Sequence, residues 1–414
     1  MEKIDYRPTH SGQEEKKLRV PYALAVHDEE EEKAVLEVIR AKKTILGDKT
    51  KEFEDKITNI FGKKFGIKVN SGSSANFLAF KILNFPKGSE IITPALTFAT
   101  TVAPIIQNEL KPVFIDVDPE TYQIDLEKIE KSITEKTKAL MIPHLIGNLT
   151  NLQKIKDICD KYKLAYIEDS CDTLGATFNG LPTGYFSDIS TSSFYGSHII
   201  TAGGGGGIIC VNNSELARKC KILRGWGRTS ALDESEDLEK RFKTRLDGMD
   251  YDTKYIFEEM AYNFLPMEMG SAFGLAQLKK LRMFSEKRKE IFKELSNFFE
   301  KYQNFFILPK QLPEADTNWL AFPLTIKPGA PFTRREITRF LENENIQTRP
   351  IFTGNILRQP GFKNISDQIP EEFPITDLIM KNGFLLGCHQ GLERNQLDYL
   401  KQKINNFIKK YQIS

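Results

Sequence analysis

Four short stretches of the chain carry residues with chemistry to offer. The first is Asn70-Ser71-Gly72-Ser73-Ser74-Ala75-Asn76, after a strand-like run and at the start of a helical one. Small residues let a backbone approach an anion, and the free N–H groups of a first helical turn point at it. Gly72 and Ser73 thus offer a phosphate cradle, although serines there also serve as ordinary helix caps. The GxxxxGK[ST] spacing of a nucleotide P-loop is missing. The second is Ile167-Glu168-Asp169-Ser170-Cys171-Asp172, where Asp169 closes an apolar run. A carboxylate at a strand's carboxyl end sits where open α/β sheets bind ligands. The third is Thr191-Ser192-Ser193-Phe194-Tyr195-Gly196-Ser197-His198, followed shortly by Gly203–Gly207. An imidazole moves protons near neutral pH. Five consecutive glycines cost backbone entropy, which is explained if the chain turns tightly beneath a ligand. The fourth is Phe98, in Thr97-Phe98-Ala99 after a strand-like run. Its ring could stack on a flat ligand or simply enter the core.

These stretches need a scaffold that gathers them. Short apolar runs at Gly66–Asn70, Glu90–Pro94, Pro112–Val117, Ala139–Pro143, Leu164–Asp169, Ile189–Tyr195 and Gly207–Asn212 read as strands. Amphipathic stretches such as Asp125–Ile133 and Asn151–Tyr162 lie between some of them. Strands spaced by helices imply βαβ units and a mostly parallel sheet. Two helices precede it, Glu30–Ala41 and Asp48–Gly62, the second with Phe53, Ile57, Ile60 and Phe61 on one face. A long helix, Gly270–Tyr302, leads to a smaller unit. That unit has strand-like Trp319–Ile326 and Thr348–Phe352, a helix at Arg334–Glu344 and a closing helix at Arg394–Ile413. The division expected is an arm over 1–28, a large domain over 29–275, and the linking helix with a small domain over 276–414. Ser230–Tyr255 reads as a polar, irregular excursion.

Composition narrows the class. The 414 residues hold 58 Lys+Arg and 56 Asp+Glu, a net charge of +2 that argues against nucleic acid as the main partner. The five cysteines, Cys159, Cys171, Cys210, Cys220 and Cys388, form no CxxC pair. Neither a disulfide framework nor a metal site is expected, and a reducing cytoplasm is the expected location. The polar amino terminus has no secretory h-region, and no apolar run is long enough to span a membrane.

Taken in order, cradle, aromatic, strand-end Asp and Ser193 resemble the sugar aminotransferase family named after DegT, DnrJ, EryC and StrS. The resemblance runs from about Glu30 to the carboxyl terminus. It includes Thr44-Ile45-Leu46-Gly47 through Phe53-Glu54, Pro143-His144, and Glu258 through Asn263. It implies an α/β, fold-type I, aspartate aminotransferase-like fold and pyridoxal 5'-phosphate as cofactor. Asp169 would pair with the pyridine nitrogen and strengthen the electron sink. Gly72, Ser73 and Ser193 would hold the cofactor phosphate, and Phe98 would stack on the ring. Asp172 stands where many members have Gln near the ring hydroxyl. Asn263 resembles the Asn that reaches a neighbouring subunit's phosphate, which implies a homodimer with shared sites.

One departure decides the subgroup. The aminotransferases carry the Schiff-base Lys where this chain has His198, and there is no Lys between Lys163 and Lys219. Imidazole forms no stable imine, so a noncovalent cofactor with His198 as acid/base is implied. The same change marks the 4-keto-6-deoxyhexose 3-dehydratases. The stretch Arg349-Pro350-Ile351-Phe352-Thr353-Gly354-Asn355 with Arg358-Gln359-Pro360 also resembles that subgroup. Arg349, Asn355 and Arg358 are candidates for contact with the nucleotide sugar, or else surface ion pairs. The branch acting on CDP-linked sugars carries a [2Fe-2S] cluster after a segment like Arg224–Arg228. Here Thr229–Tyr255 contains no Cys, so no cluster is expected. The branch resembling the GDP-linked colitose-pathway enzyme takes its amino group from glutamate. The nucleotide stays open. Gly204 replaces a usual Glu, and Ile199 a frequent second His. The alternatives are a nucleotide-sugar aminotransferase, a dehydratase fed by a separate reductase, an epimerase, and a noncatalytic nucleotide-sugar-binding homologue.

Overall fold

Apolar strands between helices fold as their pattern demands. The computed structural model describes residues 17–232, 238–242 and 244–412. Its large sheet contains β1 (Phe65–Val69), β2 (Glu90–Pro94), β3 (Lys111–Ile115), β4 (Thr137–Pro143), β5 (Ala165–Asp169), β6 (Ile189–Ser193) and β7 (Gly207–Val211). The order is β1-β7-β6-β5-β4-β2-β3. Within it β7 alone runs against the others, pairing antiparallel with both β1 and β6. The β6–β7 register sets Ser193 opposite Gly207, and the β5–β6 register sets Asp169 beside Thr191. Strands buried on both faces need near-continuous apolar sequence, and Ile67, Met141, Ile167 and Ile209 fill one core layer.

Helices α1 (Glu29–Arg40), α2 (Asp48–Phe61), α3 (Gly72–Leu83), α4 (Ala99–Gln107), α5 (Leu152–Tyr162) and α6 (Ser214–Arg224) accompany this sheet. Asp28 and Glu31 form a capping box on α1, and Asn151 caps α5 by accepting from the Lys154 N–H. Phe53, Ile57 and Phe61 of α2 are buried, while Ile60 is half-buried. The long helix α7 (Glu268–Glu300) follows. A second, antiparallel sheet contains β8 (Phe306–Ile307), β9 (Ala321–Ile326), β10 (Thr348–Pro350) and β11 (Gly383–Gly387), in the order β8-β9-β11-β10. Helices α8 (Arg334–Asn343), α9 (Pro374–Asn382) and α10 (Arg394–Gln412) complete that half. Its core joins Leu295 and Phe299 of α7 to Phe322, Leu386 and Ile404.

Three local differences from the sequence reading stand out. Asp125–Ile133 is only a short helix, Leu126–Ile129, running into a 3₁₀ turn. The central strand β11 is an apolar run that the pattern reading passed over. Inside the Ser230–Tyr255 excursion, Thr244–Leu246 pairs with Met249–Tyr251. The hairpin turns at Asp247-Gly248, both with positive φ, as a two-residue connection favours. Residues 233–237 and 243 of the excursion, and 1–16 of the arm, lie outside the described residues. Among the described residues, no helix is long and apolar enough to cross a membrane.

Candidate active site

The carboxyl ends of β5 and β6 and the start of α3 meet at one place. Ser71 caps α3 by accepting from the Ser74 N–H. Gly72 follows it, packed against β6. A Cβ on Gly72 would lie 2.6 Å from Ser193 Cβ and 3.0 Å from Cys171 Sγ. Gly207 is equally constrained, because its Cβ would lie 2.2 Å from the Ser71 carbonyl oxygen. Only glycine allows these approaches, which hold the helix start against Ser193. Gly203, Gly204 and Gly206 have φ of 74°, 97° and 118°, so the glycine run is a tight turn rather than a slack loop. The uncommitted N–H groups of the first turn of α3 and the Ser193 hydroxyl thus form an anion cradle.

Asp169 ends β5 beside this cradle and is buried. Its Oδ2 accepts from Asn76 Nδ2 and Thr101 Oγ1, both at 2.8 Å. Its Oδ1 accepts from the Cys171 N–H at 3.2 Å. Asn76 is itself fixed, accepting from Thr191 Oγ1 at 2.6 Å. A carboxylate has lone pairs left after these bonds, so Asp169 can still accept from a ligand. Phe98, at the start of α4, is 51 % exposed and packs edge-on to Phe352 at 6.0 Å. It is therefore no core residue, and its ring is open to a ligand.

His198 sits on the turn after β6, with Nδ1 3.2 Å from the Ser193 carbonyl oxygen. Its Nε2 lies 3.9 Å from Asp172 Oδ1. Burial pushes the imidazole down to about 4, against the Ser193 carbonyl and the Asp169 charge. Burial and the neighbouring Asp169 push the Asp172 carboxyl up to about 7. The Ile146 N–H, donating to Asp172 Oδ2 at 3.0 Å, opposes that rise. Arg288 of α7 is buried nearby and donates to Gln390 Oε1 and to the carbonyls of Trp319, Leu320 and Cys388.

The remaining sequence candidates divide. Asn263 is exposed, with its side chain accepting from the Leu265 N–H. Asn355 is buried; it donates to the Pro370 carbonyl and Asp377 Oδ1 and caps the Leu357 N–H. Arg358 grips both oxygens of Asp377 and also Glu371. The polar groups of Asn355 and Arg358 thus hold the 355–377 loop together, which for Arg358 is the ion-pair alternative. Arg349 is in no ion pair among the described residues, and its guanidinium lies over the Tyr22 ring at 5.4 Å. Glu258 is a surface partner of Arg218. His144 is buried and bonded to Glu168 at 2.9 Å.

Sequence reasoning missed Asn76, Thr101, Ile146 and Arg288. Asn76 stood inside a motif already singled out, and an Asn on a buried helix face needs a partner. The other three carry no signal in one sequence, because the fold alone brings them to the site.

Among the solved structures compared, one of E. coli GDP-4-keto-6-deoxy-D-mannose-3-dehydratase with bound hydrated PLP superposes with a TM-score of 0.84 at 29% identity, over 93% of this chain and 100% of that one. The Salmonella typhimurium lipopolysaccharide biosynthesis protein RfbH is 41% identical over 368 residues, 86% of this chain and 84% of its own. The dTDP-4-dehydro-2,6-dideoxy-D-glucose 3-dehydratase of Saccharopolyspora spinosa is 35% identical over 398 residues, 93% of this chain and 86% of its own. The α/β fold expected from the motifs is the fold observed. With residues 25–405 matching the family model, the chain belongs to the DegT/DnrJ/EryC1/StrS aminotransferase family.

Proposed function

We propose that this protein is a pyridoxal/pyridoxamine phosphate-dependent lyase that removes the C3 hydroxyl of a nucleotide-linked 4-keto-6-deoxyhexose, in deoxysugar synthesis for a surface polysaccharide. One observation carries the reading: His198 stands 3.9 Å from Asp172 and within electrostatic reach of Asp169, in a stretch with no lysine between Lys163 and Lys219. The similarity to enzymes named as 3-dehydratases supports it.

The residues fit a noncovalent cofactor. A Cβ at Gly72 would collide with Ser193 Cβ, so glycine there lets the helix start and the Ser193 hydroxyl converge, an arrangement that suits an anion. When bound, pyridoxamine 5'-phosphate supplies an amine for the C4 ketone and a ring that takes up electrons. Gly72 and Ser73, through their N–H groups, and the Ser193 hydroxyl would hold the phosphate. Asp169, oriented by Asn76 and Thr101, would pair with the ring nitrogen and keep it protonated. Phe98 would stack on the ring, and Asp172 would stand near the ring hydroxyl. His198 Nε2 takes a proton and later gives one to the departing C3 hydroxyl. Glutamate serves as amino donor, and Arg349 meets the nucleotide sugar. A homodimer shares its sites through Asn263. Its exposed apolar neighbours Met260, Tyr262 and Met267 support that arrangement, since large apolar side chains exposed together within one short segment suit an interaction surface.

The test is product analysis with GDP-, CDP- and dTDP-linked 4-keto-6-deoxyhexoses in the presence of pyridoxamine phosphate and glutamate. A 3-deoxy-4-keto product with released ammonia is expected. An amino sugar, or binding without turnover, would overturn the reading in favour of an aminotransferase or a binding protein.

A further inference from the structure

The spacing between His198 and Asp172 raises a question of proton inventory. A carbonyl oxygen only accepts, so His198 Nδ1 carries its hydrogen toward Ser193, 3.2 Å away. In the neutral ring Nε2 is then a bare lone pair, and it faces Asp172 Oδ1 at 3.9 Å. Across that gap, too long for a direct hydrogen bond, a lone pair and a carboxylate repel one another, and a proton on either atom removes the repulsion. The compatible states are a carboxylic acid beside neutral imidazole, or a carboxylate beside imidazolium.

The aim of Asp172 is set by an unusual turn. Its Oδ2 accepts from the Ile146 N–H, and Ile146 has φ of 61°. A β-branched residue in the left-handed region is an outlier that persists only where its surroundings impose it. Here they do. Gly147 follows with φ of 82°, and a Cβ there would lie 2.7 Å from the Leu320 nitrogen. The Leu320 N–H in turn donates to the Ile146 carbonyl at 2.8 Å. Strained backbone, wedged against the second half of the molecule, thus fixes one Asp172 oxygen and leaves the other toward His198.

We propose that Asp172 and His198 carry one proton as a pair: it stays on Asp172 while Nε2 acts as base, and passes to Nε2 only after that nitrogen has delivered its own proton to the departing hydroxyl. The role in turnover rests on the dehydratase reading; the sharing itself does not. In the transfer one proton leaves Oδ1 and joins Nε2, giving a carboxylate and an imidazolium with no other change. The charged and titratable groups facing the pair include Asp169 and Cys171 on the same segment as Asp172, Tyr195 edge-on to the His198 ring at 6.0 Å, Arg288 from α7 and Tyr22 from the amino-terminal segment. The upward shift of Asp172 and the downward shift of His198 agree on where a single proton resides, namely on the carboxyl. Asp172 is a positioning residue here, acting through the histidine.

The test is a pH titration of the full chain labelled with ¹³Cε1-histidine, read by NMR without cofactor or sugar. His198→Asn assigns the signal. Wild-type His198 should show a step near pH 7, where Asp172 loses its proton. Asp172→Asn should lack that step, and Asp172→Glu should keep one at a shifted midpoint. A step at the same midpoint in wild type and in either Asp172 variant would overturn the proposal, as would a wild-type signal with no step between about pH 5 and 9. In turnover, Asp172→Asn should lower kcat about 10²-fold with KM unchanged. Failure to form any 3-deoxy product would count against the dehydratase reading alone, because the titration needs no turnover.

Discussion

Glu168 and Asp172 lie on one short stretch, and each faces a histidine, yet the two pairs differ in every physical respect. Glu168 and His144 touch at 2.9 Å with both side chains fully buried. Burial disfavours the Glu168 charge, but the His144 bond, Ser190 and Lys63 outweigh it and hold the carboxyl below its usual range. Asp172 and His198 stand 3.9 Å apart and remain partly open. There burial and Asp169 win, and the Asp172 carboxyl rises to about 7. The closed pair is sealed from any ligand, whereas the open pair lies at the strand ends, where open α/β sheets bind ligands.

The comparison can be broken at several points. The largest effect should come from His198→Asn, which should reduce dehydration about 10³-fold while the protein still retains cofactor. Retained turnover, measured as 3-deoxy product, would remove His198 from the working pair. Next comes Gly207→Ala, whose Cβ would collide with the Ser71 carbonyl. It should cost about 1–3 kcal/mol or more and loosen the phosphate cradle, seen as a lower Tm and weaker cofactor retention.

The two carboxylates should respond to pH with opposite signs. A lowered folded pKa gives Glu168 a stabilising contribution above the unfolded value of 4.5, lost as pH falls through the folded value. Glu168→Gln should therefore lower Tm at neutral pH by the equivalent of about 1–3 kcal/mol, with less effect in acid. A raised folded pKa makes Asp172 most favourable below the unfolded value of 3.8, and that contribution is lost as pH rises to about 7. Asp172→Asn should gain Tm relative to wild type as pH rises through that window. Parallel curves for the two variants would erase the distinction. The smallest effect separates the arginines: Arg349→Gln should raise the sugar KM severalfold, whereas Arg358→Gln should lower Tm and leave KM alone.

Much of this was legible in the chain. The strands ending at Pro94 and Pro143 follow from apolar runs bounded by polar or small residues, because strands buried on both faces are largely apolar; Ile189–Ser193 instead carries four polar residues in five and ends two residues before the expected Tyr195. The glycine turn and His198 were visible by type and order. What stayed hidden depends on approach through space. Ile146 reaches a left-handed conformation only because Leu320 bonds its carbonyl, and β-branched residues give no local sign of that. For Arg358 the sequence leaves ligand contact and ion pair equally open, and only the fold brings Asp377 to it. The strand β11 was missed because a short apolar run between a helix and a loop looks the same whether it folds as strand or helix.

The central claim is that the cofactor works here without a lysine linkage. The most direct measurement is intact-protein mass after loading with pyridoxal phosphate and reducing with borohydride. Lys68 is the lysine to watch. Its ammonium is buried, bonded to Ser271 Oγ at 2.7 Å, and burial holds it down to about 7, so near neutral pH a large share of it is the free amine. The account expects cofactor retained before denaturation and no covalent adduct after reduction. One stoichiometric adduct on a lysine, Lys68 or any other, would contradict it.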